Sequence, residues 1–137
     1  MAGLTRYGLM PHALRIFSGL FDVSIFMDLH RMPELFCGFP RRPGEGPTSY
    51  PVSCSPQSWA AASGYAMLQS VLGLVIDAPH RLIRFTRPVL PESIERLRLT
   101  NLRVADATVD LLLERSATDV RVELLRRTGD VEIHTVR

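Results

Sequence analysis

The sequence lacks lysine and lacks a large excess of either charge. All 16 basic residues are arginine, and 14 acidic residues nearly balance them, which leaves a net charge of +2. The arginines are spread along the second half of the chain rather than gathered in a patch. The electrostatic footprint of a nucleic-acid-binding protein is therefore missing, and we expect no nucleic-acid partner.

Cysteine is also scarce. Cys37 and Cys54 are the only two, which is too few for the disulfide framework of a small secreted protein. They bracket a loop, so a disulfide between them is conceivable, but free buried thiols are the prediction. The four histidines are scattered and complete no zinc site. The sequence implies no metal and no cofactor.

The sequence predicts neither a targeting segment nor a membrane-spanning segment. The start, MAGLTRYGLMPHALRIF, has no basic region followed by an apolar core and a cleavage site of small residues. No apolar run approaches the length that spans a bilayer. With 137 residues and 46% apolar content, we expect one folded domain, or a piece of a larger one. The expected protein is soluble and cytoplasmic, with no membrane partner.

Two apolar helical patterns occupy residues 1–75. The first runs from Pro11 to about Met27, and the second starts with Ser55 as N-cap and Pro56 in the first turn and ends near Gly73. Apolar residues cover most of each circumference, which is typical of a helix buried on all sides. The chain therefore either self-associates as a homo-oligomer or belongs inside something larger.

The period changes to two over residues 76–137. Five stretches alternate apolar with charged residues: RLIRFTR, RLRLTNLRV, TVDLLLER, DVRVELLRR and DVEIHTV. Turn residues separate them, namely Pro88, Pro91, Asp106, Thr118-Asp119 and Thr128-Gly129-Asp130. This pattern predicts an antiparallel meander of four or five strands with one solvated face. The predicted fold class is α+β, with two long helices followed by a small antiparallel sheet.

A long loop over residues 29–55 separates the two helical patterns. Loops of this length in compact domains are usually functional or disordered, and its aromatic residues favour function. Glu34 follows Pro33 between apolar neighbours, so a partly apolar setting is expected; the alternative is a surface glutamate in a turn. The stretch PRRPGEGP lacks the ending of a phosphate-binding loop and is interpreted as a stiff connector. Arg41 and Arg42 could still bind a carboxylate or a hydroxyl-rich ligand.

Three further residues near the loop are weighed for chemistry. Trp59 lies in the first turn of the second helix and could stack on a sugar ring, although a packed core indole is the commoner fate. Asp28 and His30 could pair as base and orienting group. No nucleophile lies at a sequence spacing from them that would indicate a catalytic group, so Ser/His/Asp or Cys/His catalysis is not supported.

The segment DLHRMPELFCGFPRRPGEGPTSYPVSCSPQSWAAA closely resembles a region near the C-terminus of bacterial glycogen-debranching enzymes of the amylo-α-1,6-glucosidase type. RYGLMPHALRIFSGLFD ahead of it and LGLVIDAPHRLIRFTRPVLPESIERLRLTNLRV after it are also similar to that family. The resemblance covers nearly the whole chain, and PELF, FPRRPGEGPT and CSPQSWAAA occur in the family's order.

This resemblance implies an α-glucan substrate and a glucoamylase-like (α/α)6 toroid, of which the two helices would be a remnant. Glu34 matches the family's general base, and Gln57 and Trp59 match the opening of the helix that follows. The oligosaccharide-binding candidates are Trp59, Gln57, Arg41, Arg42 and Tyr50. The resemblance also implies inverting hydrolysis and a terminal β appendage.

The family's general acid lies upstream of the base, in sequence that this chain lacks. Inverting hydrolysis needs two carboxyl groups about 6.5–9.5 Å apart. Glu45, in the same loop, has no family counterpart. We therefore expect a fragment that is inactive alone and that pairs with a toroid-completing chain. One alternative is a non-enzymatic, self-associating module with residual oligosaccharide binding. Another is an enzyme of a different class, assembled by oligomerisation, that pairs Glu34 with a carboxylate of a second chain.

Overall fold

The computed structural model describes residues 1–117 and 119–137, so Thr118 of the predicted Thr118-Asp119 turn lies outside the described residues. The fold is α+β, as predicted. The helices are α1 (Ala2–Arg6), α2 (Met10–Ser24) and α3 (Ser58–Val71), with a 3₁₀ turn at Asp28–His30. The strands are β1 (Leu74–Asp77), β2 (Leu82–Thr86), β3 (Arg96–Val104), β4 (Ala107–Arg115), β5 (Val120–Thr128) and β6 (Glu132–Val136).

The helices differ in part from the prediction of two long apolar helices, which is not confirmed. α2 has 15 residues and α3 has 14, and a short α1 precedes them. Pro11 lies in the first turn of α2, as predicted. The prediction of Ser55 as N-cap is wrong, because Gln57 occupies that position with extended backbone angles. The Gln57 N–H donates to the carbonyl of Met32, a tertiary contact that delays the start of the helix.

The strands form two three-stranded sheets rather than one meander of four or five strands. Strands β3, β4 and β5 form the antiparallel meander that the sequence predicts. The other sheet has the order β1-β2-β6, with β2 and β6 parallel. The prediction of a purely antiparallel sheet is therefore wrong, because the last strand returns to the open edge of β2 instead of extending the meander. The sequence pattern does not predict β1 as a separate strand.

The hydrophobic core lies mainly in the β half of the molecule. Most of its buried side chains come from the strands and their connections, and only the end of α3 reaches it: Leu72, Ile83, Phe85, Leu90, Val104, Ala107, Val109, Leu111, Leu113, Val120 and Val131. Few side chains of the helices are buried, namely Ala13, Phe17, Val23, Met67 and Val71. The helical half therefore has little core of its own. No helix in the described ranges is both long and apolar enough to cross a membrane.

A buried carboxylate joins the three strands of the meander. Asp110 on β4 is 7% exposed, and its Oδ1 accepts a 2.8 Å hydrogen bond from the N–H of Asn101 on β3. The Arg126 guanidinium on β5 donates to both Asp110 oxygens and to the side-chain oxygen of Asn101. Asn101 lies at an irregularity of β3 and has a φ of 54°. The network therefore stabilises a strained position that strand pairing alone leaves unsupported.

The Asp110 network predicts a specific loss of stability in acid. The hydrogen bonds from Arg126 and then from the Asn101 N–H hold the pKa of Asp110 below its ordinary value of 3.8. Because the folded-state pKa is lowered, the ionised Asp110 carboxylate stabilises the fold at pH values above the unfolded-state pKa. This stabilisation is lost as the pH falls through the folded-state pKa. We expect Asp110→Asn to be less stable than the unchanged chain at pH 7, with the difference shrinking below about pH 4. Urea unfolding between pH 7 and about pH 3 measures the difference in unfolding free energy between the two chains. A difference that does not change with pH would contradict the role of the ionised Asp110 carboxylate.

Candidate functional site

The two ends of the long loop, residues 32–34 and 54–57, are joined by backbone hydrogen bonds, and we call them the foot of the loop. The Glu34 N–H donates to the Cys54 carbonyl at 2.9 Å, and the Gln57 N–H donates to the Met32 carbonyl at 3.1 Å. Two chain segments that are about twenty residues apart in sequence therefore run side by side. This pairing brings the predicted base Glu34 and the start of α3 into one small region of the molecule.

The arms of the loop stay paired above this foot. The Cys37 N–H donates to the Thr48 carbonyl at 3.0 Å, and Phe36 forms an isolated antiparallel bridge with Ser49. The loop therefore has a defined hairpin-like structure although its sequence is rich in proline and glycine. A paired loop of this kind can hold a functional side chain in one place.

The tip of the loop, residues 41–46, packs on Phe26, which follows the end of α2. The guanidinium carbon of Arg41 lies 5.4 Å from the centre of the Phe26 ring. Gly46 passes so close to this ring that an added Cβ would lie 3.0 Å from the Phe26 Cβ. The loop is therefore anchored at its tip as well as at its foot.

Glu34 is exposed, so the predicted partly apolar setting is not observed. Its neighbours Met32 and Pro33 are buried, but the carboxylate faces solvent. The Cys54 N–H donates to Glu34 Oε2 at 3.3 Å. One carboxylate oxygen is thus held by the backbone, and the group as a whole is accessible to water and to a ligand.

Gln57 and Trp59 both lie at the start of α3, next to the foot of the loop. Gln57 is half-buried, whereas the Trp59 side chain is 67% exposed. The core-indole interpretation of Trp59 is therefore wrong for this structure, and the indole is available for stacking on a ligand. Gln57 contacts the arm carrying Glu34 through its hydrogen bond to Met32, and Trp59 lies two residues further along the chain.

The other three predicted ligand-binding residues lie further along the loop. Arg41 contacts Phe26, and Arg42 Nη1 lies 3.9 Å from the Glu45 carboxylate. Tyr50 is next to the Phe36–Ser49 bridge, and its carbonyl accepts a hydrogen bond from Ser53. The contacts of both arginines are therefore with the loop tip and with Phe26 rather than with Glu34.

Backbone strain at the start of the loop is a feature that the sequence did not indicate. Leu29 and His30 are consecutive residues with φ values of 52° and 56°, and Leu29 is 78% exposed. Non-glycine residues in this conformation cluster at functional sites. His30 Nδ1 lies 3.1 Å from the Ser24 carbonyl oxygen, which gives it a backbone partner in place of the predicted pairing with Asp28.

Both cysteines are free thiols in the structure. Cys37 is half-buried with its Sγ 3.4 Å from the Ser49 carbonyl oxygen, whereas Cys54 is exposed, so the prediction of burial is wrong for Cys54. No group of three or more His, Cys, Asp or Glu side chains that could hold a metal occurs in residues 1–117 and 119–137.

No family model, curated protein or solved structure matches this chain. The residues at the foot of the loop nevertheless have chemical properties that indicate a function. An exposed carboxylate with one oxygen fixed by a backbone N–H can accept a proton from water. An exposed indole at the start of the adjacent helix can bind the apolar face of a sugar ring.

Proposed function

We propose that this chain is the C-terminal part of a glycogen-debranching glucosidase, that Glu34 is the general base of the complete enzyme, and that the chain alone is inactive. The observation that carries the proposal is the position of Glu34. Its carboxylate is exposed, has one oxygen bound to the Cys54 N–H, and lies beside the start of α3. These features agree with the base position that the PELF and CSPQSWAAA elements imply.

In this proposal Glu34 removes a proton from the water that attacks the anomeric carbon. The Cys54 N–H occupies Oε2, which leaves Oε1 to accept the hydrogen bond from that water. Trp59 and Gln57 bind the glucan beside it. The same loop also supplies the tip residues Arg41, Arg42 and Tyr50 as outer contacts for a longer oligosaccharide.

The second carboxyl group of the reaction comes from outside this chain. A general acid about 6.5–9.5 Å from the base must protonate the leaving oxygen of an inverting glycosidase. Glu45, the other glutamate of the loop, lies 3.9 Å from Arg42 at the tip, and this tip packs on Phe26. The acid is therefore assigned to the part of the toroid that precedes this sequence in the family.

The composition of α3 supports a larger assembly. The helix contains no charged residue, yet Trp59, Ala62, Tyr65 and Ala66 on one of its faces are exposed. A helix with no charge and little polar surface is typical of one covered by neighbours. In the proposal, helices of the missing part of an (α/α)6 toroid cover this face.

The test is a chimeric enzyme in which this chain replaces the corresponding C-terminal segment of an active bacterial debranching glucosidase. We expect the chimera to release glucose from a branched limit dextrin, and Glu34→Gln to lower kcat by about 10²-fold to 10⁴-fold, as loss of a general base does. The purified chain alone should release none.

Glu45→Gln is the matched control, because it removes a glutamate of the same loop without touching the foot. It should leave kcat of the chimera nearly unchanged. A folded chimera in which both variants keep full activity would exclude Glu34 as the base. Glucose release by the isolated chain that disappears in Glu34→Gln would instead mean that the acid comes from the chain or its oligomer.

The exposed aromatic residues of α3 favour one second candidate, a non-enzymatic self-associating module with oligosaccharide binding. Trp59 and Tyr65 would then be covered by another copy of the chain. Sedimentation equilibrium distinguishes the two proposals, because a module of this kind forms a homodimer or larger. A stable monomer that gains a one-to-one partner from the missing toroid supports the glucosidase.

A further inference from the structure

A hollow of about 580 Å³ lies in the β half of the molecule, apart from the loop and independent of the proposed function. The β2–β3 connection, the end of β4, the start of β5 and the end of β6 surround it. Pockets for small molecules commonly have volumes of about 300–1,000 Å³. Its walls combine three arginines with apolar residues: Arg87, Arg115, Arg137, Pro88, Val89 and Val120.

Arg115 is held firmly at one side of the hollow. Its Nη2 group donates to the carbonyls of Leu90 at 3.3 Å and Ile94 at 2.8 Å, and to the carbonyl of Pro91. No carboxylate lies within 4 Å of its guanidinium among residues 1–117 and 119–137. Neutral carbonyls thus orient this guanidinium, while no acidic side chain in this part of the chain compensates its charge.

Arg87 supplies a second charge of the same kind. Its φ is 46°, and its N–H donates to the Val136 carbonyl at 2.7 Å, so β6 holds it in a strained conformation. It forms no ion pair within the described ranges. Strain retained at a non-glycine residue is frequent at ligand-binding positions.

Asp119 is the acidic residue that lines the hollow among the described residues. Asp119 Oδ2 lies 2.9 Å from Arg137 Nε, so these two charges compensate each other. Glu95 and Glu114 line an adjoining hollow that shares Arg115, and Glu114 lies 3.8 Å from Arg96. Two guanidinium charges, those of Arg87 and Arg115, therefore face the hollow without a carboxylate partner in the described chain.

We propose that this hollow binds a phosphate group, with Arg87 and Arg115 as its ligands. Guanidinium groups bind phosphate oxygens through charge-assisted hydrogen bonds. Arg115 offers its Nε and Nη1 donors, since its Nη2 group already bonds the backbone carbonyls. The double negative charge of a phosphate monoester matches the two uncompensated arginines. Pro88, Val89 and Val120 form an apolar wall that accommodates the organic part of such an ester.

Isothermal titration of the full chain with phenyl phosphate and with inorganic phosphate, at constant ionic strength, tests the site. We expect both to bind, with phenyl phosphate tighter if the ligand is an ester and equal affinities if it is free phosphate. Arg87→Gln should weaken binding by about tenfold or more, the effect of losing a hydrogen bond to a charged group. Arg103→Gln, an exposed strand arginine outside the hollow, should leave the affinity unchanged.

Arg115→Lys provides a second variant that keeps the charge but removes the Nε and Nη1 donors of the guanidinium. It should weaken binding while Arg103→Gln does not, and circular dichroism should show that every variant is folded. The absence of binding by the unchanged chain would overturn the proposal. An equal loss in Arg87→Gln and Arg103→Gln would also overturn it, because it would indicate general charge attraction rather than a site.

Discussion

Phe85→Ala is expected to lower the free energy of unfolding by about 3–5 kcal/mol, the usual cost of truncating a buried phenylalanine. Phe85 lies on the central strand of the sheet β1-β2-β6 and is fully buried. It belongs to the cluster that also contains Leu72 from the end of α3 and Leu111 from β4. Removing the ring leaves a cavity between elements from both sheets, and small domains have a total stability of only about 5–15 kcal/mol.

Phe39→Ala is the matched control for this substitution. Phe39 lies in the loop and is 67% exposed, so the same change of residue should alter the unfolding free energy by about 0.5 kcal/mol or less. Urea unfolding followed by far-ultraviolet circular dichroism measures both variants. Equal effects of the two would mean that the core does not lie between the sheets.

Gly73→Ala is expected to destabilise the fold by about 2–5 kcal/mol, the sum of backbone strain and steric overlap. Gly73 joins α3 to β1 with a φ of 54°, a conformation that costs other residues energy. An added Cβ would overlap the carbonyl oxygen of Thr86. That backbone cannot move easily, because the Thr86 N–H donates to the Gly73 carbonyl at 3.1 Å.

Gly64→Ala should have the opposite sign. Gly64 lies inside α3, and no other element of the fold comes within 4 Å of the position that an added Cβ would occupy. Alanine therefore gains helix propensity there without a clash, and we expect a stabilisation of up to about 1 kcal/mol. Thermal unfolding of the two alanine variants measures both effects. Similar destabilisation by both would contradict the close approach of Gly73 to β2.

The strands of the second half were predicted well because their signal is local. Alternating apolar and charged residues place one face of each strand inward, whatever the neighbouring strand is. β1 is not predicted as a strand because LVID follows the apolar end of α3 without a charged residue to mark the change of period. The parallel position of β6 beside β2 could not be predicted from alternation, because it depends on which sheet edge remains open.

For the candidate site, too, the sequence predicts the residues but not their long-range contacts. Glu34, Gln57 and Trp59 can be selected from the sequence, but the hydrogen bonds that pair their segments join residues far apart along the chain. The exposure of Trp59 depends on whether other helices cover α3, which periodicity does not report. The two arginines of the proposed phosphate site carry no such signal, because Arg87 and Arg115 line one hollow only after the two sheets have formed.

The pairing of β6 with β2 has a consequence for the order of folding. Leu82 lies opposite Glu132, so the sheet that contains Phe85 is completed by residues synthesised fifty positions later. Until then β1 and β2 form a two-stranded ribbon, which is marginally stable in water. Its open edge is a surface on which other chains can add. Such long-range closure slows folding, and we expect nascent chains that stop before β6 to require a chaperone.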